Sequence, residues 1–136
     1  MVRLSPSAIA AGAAPGITSV ATAPHYTWGV SCDGWHLVRT ADLSVIQERM
    51  PPGTTEARHL HRRAHQFFLV LHGRLAIECS GVTCQLGPLQ GLAIPAGAPH
   101  RVHNASAAAA EFLVVSQPPS QGDRVAAPCP VSRRLG

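Results

Sequence analysis

From residue 28 onwards, short apolar segments rich in Val, Ile, Leu and Phe alternate with Gly, Pro and Asn. Nine of these segments predict β-strands, at residues 35–39, 43–50, 58–61, 66–71, 74–79, 82–86, 91–94, 100–102 and 111–117. Turn signals such as His72-Gly73 and Ser80-Gly81 separate them. No window keeps a helical period with capping residues. The pattern therefore predicts an all-β domain, a sandwich or barrel of many short strands.

The segment at residues 67–71 is apolar at every position, whereas a strand with one solvated face alternates between apolar and polar residues. We expect the barrel core to cover one side of this strand and a second layer or subunit to cover the other. A barrel limited to residues 28–125 is small and buries only a modest fraction of its surface. A homodimer is therefore the expected assembly.

The two ends of the chain differ from this region in composition. Residues 1–27 are rich in Ala, Pro and Gly and predict a flexible arm, because Pro6, Gly12 and Pro15 interrupt the apolar run of a signal peptide. Residues 126–136 predict an irregular tail. No run approaches the ~20 apolar residues of a membrane span. We expect one barrel domain at residues 28–125, a cytoplasmic location and no membrane partner.

Histidine is abundant in a chain that is otherwise weakly charged. Charged residues make up 13% of the 136 positions, against about 25% in typical soluble domains. The 8 histidines outnumber the 7 acidic residues, and six of them lie between His59 and His103. Lysine is absent, which excludes lysine Schiff bases and phosphate-loop lysines. A cluster of neutral imidazoles in such a chain indicates a metal site.

The net charge of +4 does not predict a nucleic-acid-binding surface, because the arginines are scattered and aromatic residues reach only 4%. The lysine-free, Ala- and Arg-rich composition is typical of a GC-rich bacterial genome. The four cysteines, Cys32, Cys79, Cys84 and Cys129, show no CxxC spacing. A hairpin turn between Cys79 and Cys84 would leave them about 7 Å apart, marginal for a disulfide. We expect reduced cysteines.

The histidine pattern itself suggests how a metal could be held. His59 and His61 are two positions apart, so on a strand their side chains share one face about 7 Å apart. His100 follows a turn at residues 95–99 and begins another predicted strand. In a closed barrel that strand can lie across from His59 and His61. Two adjacent ligands and one opposite would then converge on one ion.

These residues resemble the two sequence motifs of the cupin superfamily. Gly53-x5-His59-x-His61-x4-Gln66-x6-Gly73 is similar to the first motif, except that Gln66 replaces the usual Glu. Pro95-x-Gly97-x-x-His100-x-x-x-Asn104 is similar to the second, although Leu89 and Gln90 replace the Gly and Asp that usually open it. The resemblance extends over residues 33–125, and it is to small single-domain cupins of bacteria that share no known common activity.

The resemblance implies an all-β, double-stranded β-helix (jelly-roll) barrel, often dimeric, with one divalent transition metal inside: Fe, Zn, Mn, Ni or Cu. It implies that His59, His61 and His100 are metal ligands and that Gln66 occupies the fourth ligand position. A neutral amide leaves the ion its full charge, which favours anionic substrates. His65 competes with Gln66 for the fourth position, and is otherwise a candidate proton carrier.

The residues leave the pocket lining open on one strand: either Gln47 and Arg49 or Ile46 and Glu48 face inwards. Few carboxylates are expected in the pocket, so the candidate catalytic groups are His65 and Gln66, with Tyr26, Glu48 or a metal-bound hydroxide as further bases.

We expect an enzyme acting on a small anionic or enolisable molecule, of dioxygenase or isomerase, cyclase or lyase type. The alternatives are a non-catalytic binding or sensor module that acts with a partner protein, and a metal-free structural barrel.

Overall fold

The computed structural model describes residues 15–128, which form β-strands and no helix. The strands are β1 (His25–Trp28), β2 (Cys32–Arg39), β3 (Ser44–Met50), β4 (His59–His61), β5 (His65–His72), β6 (Leu75–Cys79), β7 (Val82–Leu86), β8 (Gly91–Ile94), β9 (His100–His103), β10 (Ala110–Gln117) and β11 (Arg124–Ala126). The nine predicted strands correspond to β2 to β10, with ends that differ by at most three residues. No helix of the described residues is long and apolar enough to cross a membrane.

Two antiparallel sheets pack face to face. One has the strand order β1-β2-β3-β10-β5-β8, and the other has the order β11-β4-β9-β6-β7. Consecutive strands such as β3 and β4, or β4 and β5, lie in different sheets, so the chain passes repeatedly from one sheet to the other. The pattern predicts a sandwich or barrel, and the structure is the jelly-roll barrel that the resemblance implies.

The strands β1 and β11 are not predicted by the pattern. Both are short, and each lies at the edge of its sheet with one neighbour: β1 pairs with β2, and β11 pairs with β4. Strands this short are held by tertiary pairing rather than by local preference, so the sequence gives little sign of them. Residues 1–14 of the predicted arm and 129–136 of the predicted tail, with Cys129, lie outside the described residues.

The core lies between the sheets, where Met50, Val70, Ile77 and Phe112 are fully buried. Along β5, Gln66, Phe68 and Val70 point into the barrel, and Phe67 points outwards with 41% of its surface exposed. Leu69 and Leu71, on the same outer side, are half-buried. Both faces of this strand are therefore apolar, as the sequence indicates. Cys32, Cys79 and Cys84 are free thiols, as expected.

Two motif residues fix the turns that carry the site. Gly73 has φ +80°, and a Cβ there would approach the carbonyl oxygen of Ala109 too closely, so glycine is required between β5 and β6. The buried Asn104 amide donates to the carbonyl oxygens of Met50 and Ala108, both at 2.9 Å, and its own oxygen accepts the N–H of Ser106 at 3.0 Å. Asn104 thus braces the end of β9.

Candidate metal centre

Neighbouring strands of the five-stranded sheet bring three histidines together. His59 and His61 occupy alternate positions of β4 and face the same side, and His100 begins β9 directly opposite His59. All three are buried. The ring centroids of His59 and His100 are 4.5 Å apart, and one ring nitrogen from each histidine lies within 4.8 Å of the others. The structure therefore assembles the predicted trio.

Each imidazole is held by a hydrogen bond from its Nδ1 to a main-chain carbonyl oxygen. The distances are 2.9 Å from His59 to Ala57, 3.0 Å from His61 to Asp123 and 2.9 Å from His100 to Ala98. Because a carbonyl oxygen only accepts, Nδ1 carries the hydrogen in each ring and Nε2 keeps a free lone pair. Metal-binding histidines are oriented by such bonds.

The barrel interior also keeps these rings uncharged. Desolvation by burial lowers the pKa of His59 to about 3, although its bond to Ala57 opposes the fall. Desolvation likewise lowers the pKa of His61 and of His100. Neutral imidazole is the form that binds a metal ion. At neutral pH no proton competes for the three nitrogens.

Gln66 completes the arrangement from the other sheet. It lies on β5, is buried, and donates from Nε2 to Ser116 Oγ at 3.1 Å. Its Oε1 and the Nε2 of His100 are buried without a hydrogen-bond partner. An unsatisfied buried polar atom is destabilising by about 1–3 kcal/mol. A ligand that binds to both atoms would remove this cost.

The residues present fit a divalent transition metal. His59, His61 and His100 would supply three Nε2 atoms, and Gln66 would supply the amide oxygen. Imidazole nitrogens suit Zn, Cu, Fe and Ni. All four groups are neutral, so the ion would keep its charge of +2 and attract an anion or polarise an oxygen bound to it.

The remaining candidate histidines do not point at this centre. His65 is exposed at the start of β5, on the opposite side from Gln66, and its Nδ1 accepts the N–H of Ala96 at 3.4 Å. The structure thus places Gln66 inside and His65 outside. His72 is exposed at the end of β5, and His103 has the opposite parity to His100 on β9.

A cavity of about 190 Å³ opens onto this group. Its wall includes Ile46 and Glu48 of β3, which decides the alternative left open by the sequence. Phe68 and Val102 also line it, because each lies two positions from an inward-facing residue, Gln66 on β5 and His100 on β9. A cavity of this size takes a small molecule rather than a polymer segment.

The expectation of few carboxylates in the pocket is wrong. Glu48 and Glu56 both line the cavity. Glu56 Oε1 accepts the N–H of Val102 at 3.1 Å and lies 4.0 Å from Nδ1 of His59. Burial raises the pKa of Glu56 to about 7, although Arg124 and the Val102 N–H oppose the rise.

Sequence reasoning also missed Arg124, which lines the cavity from β11 and donates to the carbonyl oxygen of Ala57 at 3.2 Å. Glu56 falls in the unspecified x5 stretch between Gly53 and His59, and Arg124 falls in a strand with no local signal. The one sequence signal for Glu56 is its position three residues before the candidate ligand His59.

Asp123 links the loop after β4 to the metal centre. Its carboxylate accepts three main-chain N–H groups, from Arg62 at 3.0 Å and from Arg63 and Ala64 at 2.9 Å. Desolvation opposes the effect, but these bonds lower the pKa of Asp123. The carbonyl oxygen of the same residue accepts the Nδ1–H of His61. One residue therefore fixes both the loop and a ligand ring.

Solved structures with the same fold include three bacterial proteins. The protein TT1209 from Thermus thermophilus is 28% identical, with a TM-score of 0.59 over 61% of this chain and 79% of that chain. KdgF from a Halomonas species is 16% identical, with a TM-score of 0.71 over 78% of this chain and 97% of its own. A predicted oxalate decarboxylase from Thermotoga maritima is 15% identical, with a TM-score of 0.70 over 76% and 100%.

At these low identities, KdgF and the predicted decarboxylase share the fold alone with this chain. No curated protein matches the sequence. The sequence profile described as "Cupin domain" matches residues 46–116, more than half of the chain, and this range contains both histidine motifs. The chain therefore belongs to the cupin family.

Proposed function

We propose that this cupin is a metal-dependent enzyme that acts on a small anionic or enolisable molecule. The observation that carries the proposal is the set of four inward groups: three histidines anchored through Nδ1, and the unpartnered Oε1 of Gln66. A divalent ion held there would polarise a substrate oxygen and stabilise negative charge on it. Arg124 at the cavity wall adds a positive charge that attracts an anion.

Two features favour an enzyme over a binding module. The cavity is small and holds groups that exchange protons, Glu48 and Glu56, beside the proposed metal. The pKa values of these carboxyls lie near neutral pH, where a general acid or base is most effective. A module that only binds an anion gains nothing from two carboxyls in the cavity wall, because each of them repels the anion when it is ionised.

Metal reconstitution is the first test. The full chain is stripped with a chelator, reloaded with Zn²⁺, Mn²⁺ or Fe²⁺, and analysed for metal content. We expect one ion per chain in the wild type and none in His100→Ala. The matched control is His103→Ala on the same strand, which faces away from the centre and should bind normally. Equal binding by both variants would exclude the proposed site.

The class of reaction is then tested with the loaded protein. Oxygen uptake in the presence of catechols, thiols or diketones would indicate a dioxygenase, and turnover without oxygen uptake would indicate an isomerase, cyclase or lyase. Saturable binding with no turnover of any bound compound would favour the sensor alternative.

We also propose that the chain is a homodimer that associates through the outer face of the six-stranded sheet. Phe67, Leu69, Leu113 and Val115 are neighbours on this face through the pairing of β5 with β10. Val45 of β3 pairs with Val115 and continues the apolar surface. A second copy of the same face would cover it, as the two-sided apolar character of β5 predicts.

A further inference from the structure

Glu48 is a carboxylate in the wall of the cavity without a hydrogen-bond partner. It lies on β3 with its side chain inwards, beside the apolar groups of Ile46 and Phe112. Its carboxylate makes no hydrogen bond to any other residue in the range 15–128. The side chain is half-buried and lines the cavity, so its carboxylate is open to a molecule bound there and is placed to exchange a proton with it.

A glycine on the neighbouring strand β2 allows the phenol ring of Tyr26 to lie close to Glu48. Gly34 of β2 pairs with Glu48, and Tyr26 of β1 pairs with Gly34. A Cβ at Gly34 would collide with the Cζ and hydroxyl of Tyr26, so the ring crosses over the glycine. Paired residues have Cβ atoms about 4.5–5.5 Å apart. The hydroxyl of Tyr26 therefore occupies the place of the missing side chain, next to Glu48.

The charged and titratable groups around Glu48 come from four elements. The ionisable side chains are Glu56 before β4 and Arg124 on β11, and the uncharged titratable ones are Tyr26 on β1 and His59 and His61 on β4. Burial is the main cause of the high pKa of Glu48, about 8; the charge of Glu56 raises it further and Arg124 lowers it. Burial, with Glu48 and Glu56, raises the pKa of Tyr26, so the phenol stays protonated.

We propose that Glu48 is the general base and acid of this cavity and transfers a proton to and from carbon in a small 2-oxo acid. The inference rests on the proposed metal-dependent function. Arg124 would pair with the substrate carboxylate, and the oxo group would face the histidines. A small 2-oxo acid fits within a cavity of about 190 Å³.

The step balances without an oxidant or reductant. A Glu48 carboxylate oxygen takes the proton from the carbon next to the oxo group as that C–H bond breaks. The electron pair forms a carbon–carbon double bond, and the oxo C=O electrons move onto its oxygen. Return of the proton to carbon restores the oxo acid. Tyr26 is assigned as a positioning residue in this proposal, because its ring lies over Gly34, the residue that pairs with Glu48.

The experiment uses the full chain loaded with Mn²⁺ or Zn²⁺, and pyruvate in D₂O as the probe. Exchange of methyl hydrogens for deuterium is followed by proton NMR, and metal content and pyruvate affinity are measured in parallel. The test variants are Glu48→Gln and Glu48→Asp. Glu111→Gln removes the same charge on β10 from the outer face, opposite Arg49, and is the matched control.

We expect the wild type and Glu111→Gln to exchange at equal rates. Glu48→Gln should lose at least 100-fold in rate with metal and pyruvate affinity retained, and Glu48→Asp should keep partial activity. Tyr26→Phe should alter the pH profile of exchange and not the binding of metal. Glutamine is isosteric with glutamate, so the main variant keeps the fold.

The possible failures differ from one another. No metal in the wild type would refute the proposed function and this inference together. Metal without pyruvate binding would refute the substrate class. Bound metal and pyruvate without exchange, or exchange that survives Glu48→Gln within threefold, would refute the role of Glu48 and leave the metal-dependent function standing.

Discussion

Replacing Glu48 by glutamine should stabilise the metal-free protein, by an amount that grows with pH. The pKa of this carboxyl is about 8 in the folded protein, because burial disfavours its charged form, against 4.5 in the unfolded chain. As pH rises above 4.5 the unfolded chain loses the proton and the folded protein keeps it. Folding is therefore progressively weakened between pH 4.5 and 8, and the penalty is constant above that range. Glutamine does not titrate, so the variant does not lose folding free energy in this way.

The size of the effect follows from the two pKa values. Each pKa unit corresponds to about 1.4 kcal/mol, so linkage gives a penalty of about 1 kcal/mol at pH 5 and about 3 kcal/mol at pH 7. That is a large part of the 5–15 kcal/mol by which typical domains are stable. A stability loss of this size is typical of residues kept for function.

Urea unfolding of wild type and Glu48→Gln at pH 5, 6 and 7, with chelator present, measures the difference. The gap between the two free energies of unfolding should widen by about 2 kcal/mol from pH 5 to pH 7. Glu111→Gln, on the outer face, should show no such trend. If the difference in free energy of unfolding stays constant with pH, or narrows, Glu48 is ionised in the folded protein. Burial would then not raise its pKa, which would refute the reasoning.

Three further changes test the metal centre and the assembly. Gln66→Glu should raise metal affinity at least tenfold in a chelator competition, because it adds a negative charge beside the ion; unchanged affinity would mean that Oε1 does not face the metal. Asp123→Ala should lower metal affinity ten- to hundredfold, because loss of its carboxylate releases the loop and loosens the main-chain carbonyl that orients His61, whereas Asp42→Ala on an exposed turn should leave it unaltered. Phe67→Arg should convert the homodimer to monomer in sedimentation velocity, and a wild type that is already monomeric would contradict the assembly.

Most of the strands could be predicted locally. The β5 strand shows why: its continuous apolar run of aromatic and aliphatic residues ends at the turn glycine Gly73, and both signals lie within or next to the segment. Gly73 and Asn104 are also local, because a left-handed turn and a braced strand end require these residue types. The strands β1 and β11 could not be predicted in this way, because they form by pairing with other strands and carry no local signal of their own.

The candidate ligands were visible for a related reason. His59 and His61 alternate on one strand, and their shared face follows from strand geometry alone. The choice between Gln66 and His65 needed the structure, because a one-residue difference in register turns a side chain from the core to the solvent. The same register decided that Glu48 lines the cavity and Arg49 does not.

The sequence by itself determined the all-β fold, the motif histidines and the neutral amide at the fourth position, because each depends on residue type and on spacing within one strand or turn. Only the tertiary structure decided what surrounds them. Glu48, Glu56 and Arg124 are brought to one cavity by three separate segments, and Asp123 reaches His61 across about 60 positions of sequence. Burial then sets the protonation of these groups, and burial is a property of the packed barrel rather than of any segment.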